Sequence, residues 1–195
     1  NMNLLSRGFE IIREEGVFRF LFEGVRYTYG AVIRPVLPNT GYRTANLVRV
    51  DRRKPFDHYF GRYSDSPENE DGVVSSHEAV TQSGDSIVVV GGGKGVTAVR
   101  AANIVGSSGR VTVYEGGKEA VEEIQRVSDM NSVSDRCEVH HAIVGKARNV
   151  YGGNSTTADT LHPDELPECD VLELDCEVSE IDILSESTIQ PRAII

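Results

Sequence analysis

The stretch DSIVVVGGGKGVTAVRAA, Asp85 to Ala102, constrains the fold more than any other part of the chain. Four apolar residues, Ile87 to Val90, run into a glycine-rich turn, and the residues after Gly95 read as a helix. A short, wholly apolar run suits a strand buried on both faces. A strand that passes at once into a helix opens a βαβ unit. Gly91, Gly93 and Gly95 let the backbone approach a ligand where a side chain would block it. The helix that follows aims its unpaired N–H groups and positive dipole end at the same place. Dinucleotides and S-adenosylmethionine are both held by this layout. Gly93 to Ala98 also reads as G-x-G-x-x-A, the dinucleotide pattern. A tight turn without a ligand is the alternative.

The rhythm continues beyond the turn. Strand Ser86–Val90 and helix Val96–Val105 are followed by strand Val111–Tyr114, a helix in KEAVEEIQRVSDMNS, and strand Glu138–Val144. A polar stretch, Tyr151 to Pro167, precedes strand Val171–Leu174, a short helix in SEIDILSES, and RAII, which begins one more strand. Strands alternating with helices imply an α/β fold with a doubly wound, mostly parallel sheet. Upstream lie a helix over Val73–Val80, a polar loop over Arg62–Gly72 and a strand over Thr44–Val50. Residues 3–35 read as helix broken at Gly16, with Leu4, Leu5, Phe9, Ile12 and Phe18 at spacings near three and four. Two parts are expected: an N-terminal helical arm with a strand or hairpin, residues 1–62, and a Rossmann-like domain, residues 63–195.

Charge divides along the same line. Residues 1–62 carry a net +5 and residues 63–195 a net −15, within a total of −10. An acidic body repels phosphates and argues against a nucleic-acid groove. Sixteen arginines against four lysines, on an acidic chain, fit a high-salt cytoplasm. Cys137, Cys169 and Cys176 form no C-x-x-C pair, which suits a reduced, cytosolic protein and argues against a disulfide scaffold or a zinc knuckle. His140 and His141 are adjacent, so on a strand they face opposite sides and share no metal. No metal is expected. Packing of the apolar arm on the core or on a second subunit is the expected role of residues 3–35; contact with a membrane surface is the alternative.

Three acids stand where chemistry is done in such a sheet. Glu115 ends the second strand, twenty residues beyond Gly95, where an acid accepts hydrogen bonds from ribose hydroxyls of either cofactor class. Asp175 and Glu177 follow the strand Val171–Leu174, at the edge that faces the ligand crevice. There they hold a substrate or a cofactor amine, act as a base, or cap the next helix.

The segments SIVVVGGGKGVTAVRAANIVGSSGRVTVYEGGKEAVEEIQ, DRCEVHHAIVG, CDVLELDCEVSEIDIL and PRAII resemble the FkbM family of S-adenosylmethionine-dependent methyltransferases, above all its lysine-poor haloarchaeal versions. The resemblance covers about residues 70–195. It implies a class I methyltransferase sheet, S-adenosylmethionine as cofactor, and methyl transfer to an oxygen of a carbohydrate or small molecule. It assigns Gly91, Gly93 and Gly95 to the cofactor loop, Glu115 to the ribose, His141 and Ala142 to the adenine edge, and Asp175 and Glu177 to the family's Asp-x-Glu. The chain departs from the family at Val89, where an Asp is usual, and at Val178, where a Gly is usual. It also ends at the fifth strand of the family's sheet. An NAD(P)-binding oxidoreductase and a non-catalytic cofactor-binding or interaction module are the other readings.

Overall fold

A computed structural model describes residues 13–60, 65–145, 158–176 and 179–195. The chain divides into two compact units, residues 1–43 with 52–64, and residues 44–51 with 65–195.

The larger unit is built on a six-stranded sheet. Its strands are β3 (Ser86–Val90), β4 (Arg110–Glu115), β5 (Cys137–Val144), β6 (Asp159–Leu161), β7 (Val171–Leu174) and β8 (Ala193–Ile194). Their order is β6-β5-β4-β3-β7-β8, and every neighbouring pair is parallel. Helix α2 (Asp71–Val80) precedes β3, α3 (Val96–Val105) joins β3 to β4, α4 (Lys118–Met130) joins β4 to β5, and α5 (Glu180–Glu186) joins β7 to β8. The chain moves outward from β3 through β4 and β5, then returns to the other side of β3 at β7. This is the doubly wound, Rossmann-like sheet expected for a class I methyltransferase, with its topological switch between β3 and β7.

The apolar run explains itself in this setting. Ile87 and Val89 belong to one buried cluster, with Val96, Val99, Val113 and Ile124. Val88 and Val90 belong to the cluster on the opposite face, with Leu172 and Ile183. A central parallel strand buries both faces, so alternation of polar and apolar residues disappears. Burial of each of these side chains contributes roughly 1.5–3 kcal/mol.

Two elements differ from expectation. The segment read as one strand over Thr44–Val50 is a hairpin of β1 (Gly41–Ala45) and β2 (Val48–Arg53). Asn46 and Leu47 form its turn with φ of 42° and 67°, the left-handed pair that two-residue hairpins need. Asn46 tolerates that conformation, but apolar Leu47 disguises the turn as strand. The polar stretch before β7 contains β6, which pairs with β5 through Ala142↔Asp159 to Val144↔Leu161. A three-residue edge strand has no periodicity to detect.

Among the described residues of the smaller unit, Arg13 and Glu14 are helical, the helix breaks at Gly16, and an amphipathic helix follows, α1 (Val17–Thr28). It runs on through a wider turn, Tyr29–Ile33, and a tight one, Arg34–Val36. Arg19, Glu23 and Arg26 pair along one side, whereas Val17, Phe18, Leu21 and Val25 are exposed. Leu4, Leu5, Phe9 and Ile12 lie outside the described residues. Among the described residues no helix is long and apolar enough to cross a membrane.

Candidate functional site

The carboxyl edge of the sheet gathers most of the residues singled out from the sequence. The glycine turn leaves β3 and is wedged between two elements. Gly91 has φ of 90°, and a Cβ on it would lie 2.1 Å from the backbone oxygen of Asp175. The Asp175 N–H donates to the Val90 carbonyl at 2.9 Å. The end of β7 therefore abuts the turn, which only glycine permits. A Cβ on Gly92 would meet Val113 and Ile124 at 2.5 and 2.6 Å. Gly92 thus belongs to the turn as much as the three glycines singled out. Among the described residues a Cβ on Gly93 would meet nothing within 4 Å, whereas one on Gly95 would press on Ile124 of α4.

Glu115 reaches back over the turn from the end of β4. Its carboxylate accepts the Gly117 N–H at 2.8 Å and the Gly93 N–H at 3.3 Å. His141 on β5 is in register with Glu115, and its Nε2 donates to the Gly116 carbonyl at 3.1 Å. Neighbouring His140 takes the opposite face and stacks on Tyr114 at 5.1 Å. Ala142 is buried between β5's neighbours and pairs with β6. Glu177 and Val178 lie outside the described residues.

Asp175 stands beyond β7 and is exposed to solvent. Enough protein still surrounds it that desolvation, then repulsion from Glu173 and Glu180, raises its carboxyl pKa. It does not cap α5: Ser179 is the residue at that position, and its side chain makes no capping bond. The neighbouring Cys176 thiol is pushed up to about 12 by burial and by Glu180 and Asp175. It is therefore no thiolate nucleophile at neutral pH.

Three further residues complete the edge. Glu70 precedes α2. Its pKa is raised by burial and by Glu173 and Asp175, against hydrogen bonds from Asn69 and from the Thr97 backbone N–H. Glu173 on β7 is 2% exposed, and its Oε1 accepts from the Thr97 hydroxyl at 2.7 Å. Its Oε2 shares a 2.6 Å hydrogen bond with Nε2 of His77, which is fully buried on α2. Glu173 and His77 carry a sequence signal of their own: each is a polar residue at a position where its element should be apolar. Among the described residues no group of three His, Cys, Asp or Glu side chains is placed to hold a metal ion.

No family model matches the chain, and no curated protein matches it. Solved structures with a related fold do. An S-adenosylmethionine-dependent O-methyltransferase from Thermotoga maritima is 22% identical with a TM-score of 0.44, over 64% of this chain and 41% of its own. The C-terminal domain of precorrin-6Y C5,15-methyltransferase from Rhodobacter capsulatus is 20% identical with a TM-score of 0.42, over 67% and 60%. A methyltransferase from Geobacter sulfurreducens is 20% identical with a TM-score of 0.42, over 61% and 52%. The chain spans between two fifths and three fifths of the length of these proteins.

Proposed function

We propose that this chain is an S-adenosylmethionine-dependent methyltransferase that acts on an oxygen of a carbohydrate or small molecule, of the FkbM type that its sequence resembles. One observation carries the choice of cofactor. Two donors at the start of α3 that a pyrophosphate would use are engaged by carboxylates. Gly93 N–H goes to Glu115 and the Thr97 hydroxyl to Glu173, with Glu70 close enough to Glu173 and Asp175 to feel their charge. A dinucleotide would bring two negative charges against three acids. A cofactor with a sulfonium and an ammonium group meets complementary charge at the same place.

The residues present fit such a cofactor. Each Glu115 oxygen holds a single N–H and keeps capacity to accept from ribose hydroxyls, and no described residue lies within 4 Å of where a Cβ on Gly93 would go. His141 and Ala142 lie one strand further along the same edge. Bound S-adenosylmethionine would supply a methyl group on a positively charged sulfur, open to in-line attack by an acceptor oxygen with the neutral sulfide as leaving group. The acceptor hydroxyl would have to give up its proton in that transfer. Asp175 takes that proton: its raised pKa makes it a stronger base than an ordinary aspartate, and water reaches it to carry the proton away. Glu177 is proposed to orient the acceptor beside it. Much of the rate then comes from holding the oxygen and the methyl in line.

Calorimetric titration with S-adenosylhomocysteine and with NAD, in molar salt, tests the cofactor. The expected result is micromolar binding of the first, about −8 kcal/mol, and none of the second. NAD binding without S-adenosylhomocysteine binding would reverse the choice and favour an oxidoreductase. Binding without methyl transfer to any of a panel of glycans and small hydroxyl compounds would favour a non-catalytic module.

A further inference from the structure

The central strand β7 carries one acid in an otherwise apolar position. Glu173 lies between Leu172 and Leu174, and both of its oxygens are engaged, one by the Thr97 hydroxyl and one by His77. The second ring nitrogen of His77 lies 3.0 Å from the Thr81 hydroxyl oxygen. All four side chains are buried. They come from β7, from α2 and the residue that ends it, and from the first turn of α3. An apolar side chain at position 173 would fill the space without this expense, because a buried carboxylate is tolerated only when its bonding capacity is met.

We propose that His77, Glu173 and Thr97 are positioning residues that set the glycine turn against the crevice and thereby govern cofactor affinity. The identity of the cofactor rests on the methyltransferase reading; the effect on the turn does not. Thr97 is two residues past Gly95, and Glu173 is two residues before Asp175. The backbone joins the same two segments where Asp175 N–H meets the Val90 carbonyl and Gly91 packs on the Asp175 oxygen. The turn is therefore gripped twice, at its entrance by backbone and at its exit by the Thr97–Glu173 bond. Apolar packing is non-directional, whereas this bond fixes the direction in which α3 leaves the turn. His77 holds the carboxylate from its far side, so the grip depends on α2 as well.

The test uses the full chain in molar salt, with Thr97→Val, Thr97→Ser, Glu173→Gln and His77→Gln. Thr97→Val keeps the volume and removes the hydroxyl; Thr97→Ser restores it. S-adenosylhomocysteine affinity, the KM and kcat for S-adenosylmethionine, and amide exchange over residues 91–99 and over α4 are measured. Thr97→Val should weaken binding about tenfold or more, raise KM with kcat unchanged, and speed exchange over 91–99 but not over α4; Glu173→Gln should show the same loss of affinity and the same pattern of exchange. Thr97→Ser should stay within about twofold of the parent chain, as a retained hydrogen bond requires. Unchanged affinity in Thr97→Val, or faster exchange spread evenly over the sheet unit, overturns the proposal and leaves a network that only stabilises. If the parent chain binds no S-adenosylhomocysteine, the methyltransferase reading fails. Exchange then decides alone: selective acceleration over 91–99 supports the network, and uniform acceleration overturns it. Should Glu173→Gln or His77→Gln fail to fold, the Val and Ser pair at position 97 decides between the two outcomes.

Discussion

Asp57 in the smaller unit meets four donors; Asp175 at the edge of the sheet meets two acids. The Asp57 carboxylate accepts from the Tyr29 hydroxyl at 2.7 Å, from Arg34 Nε at 2.9 Å and Nη2 at 3.2 Å, and from the Lys54 N–H at 2.7 Å. Burial alone would raise its pKa, but these bonds outweigh burial and hold it below the ordinary value. Phe60 stacks on Tyr29 at 4.5 Å beside it. At the sheet edge the balance runs the other way, because Glu70 and Asp175 are desolvated beside other carboxylates. A fold that needs an acid for stability surrounds it with donors. Under the methyltransferase reading, the acids in mutual repulsion at the sheet edge are the candidates to meet a ligand.

The largest contrast is steric. Gly91 and Gly16 share nearly the same φ, 90° and 88°, but among the described residues only Gly91 has protein where a Cβ would go. Gly16→Ala should cost about 1–3 kcal/mol for the positive-φ backbone alone. Gly91→Ala should cost roughly 3–5 kcal/mol, since overpacking against Asp175 adds to the same penalty. Denaturant melts of both variants measure the difference. Equal losses would mean that the end of β7 does not press on the turn.

Removal of the two kinds of acid comes next. Asp57→Ala should destabilise the smaller unit by roughly 2–4 kcal/mol, because it strands Arg34 and the buried Tyr29 hydroxyl. The loss should appear as faster amide exchange over residues 17–60. Glu115→Ala should instead leave stability intact and weaken cofactor binding by roughly 2–3 kcal/mol, two charge-assisted hydrogen bonds to ribose. If its melting temperature falls and its affinity does not, Glu115 serves only to hold Gly93 and Gly117.

Much of this was legible in the chain. Ile87 to Val90, between a loop and a glycine turn, specifies a two-faced central strand, and the order strand, glycines, helix, strand, acid specifies the first crossover. What escaped detection was non-local. Gly92 is needed for Val113 and Ile124, and neither is near it in sequence. DRRKPFDHYF, Asp51–Phe60, reads in sequence as a solvated hairpin face, or as a basic, aromatic grip for an anion, but its Asp57 turns inward to Tyr29 and Arg34. Val89 reads as the loss of an acid; its register partner on the neighbouring strand is Glu173, which holds a carboxylate one strand over. Spacing along one segment cannot reveal a side chain supplied by another.

The two units should also answer pH with opposite slopes. Asp57 ionises more readily in the folded state, so its contribution is complete above the unfolded value of about 4 and is lost as pH falls through its lower folded pKa. Glu70 and Asp175 have raised folded pKa values. Between about 4 and those values the folded state keeps protons that the unfolded chain has released, so stability at the sheet edge declines as pH rises. Amide exchange read separately in each unit from acid to neutral pH, at constant high salt, resolves the two trends. A common slope would remove the distinction between the acids.

The smallest effect is the most discriminating. Asp175→Asn keeps the shape of the side chain and removes its charge. If Asp175 is a strained base, the ligand-free protein gains stability at neutral pH, because repulsion from Glu173 and Glu180 disappears. The side chain is exposed, so the gain should stay within about 1 kcal/mol, as for other solvent-screened charges. It should also shrink in molar salt, where such interactions reach only about 3 Å. Methyl transfer should fall sharply in the same variant, since the amide cannot accept the acceptor's proton. Paired melting curves in low and high salt, with transfer rates on the same preparation, separate the cases. A variant that loses stability and keeps its rate would place Asp175 with Asp57, as an acid the fold uses and the chemistry does not.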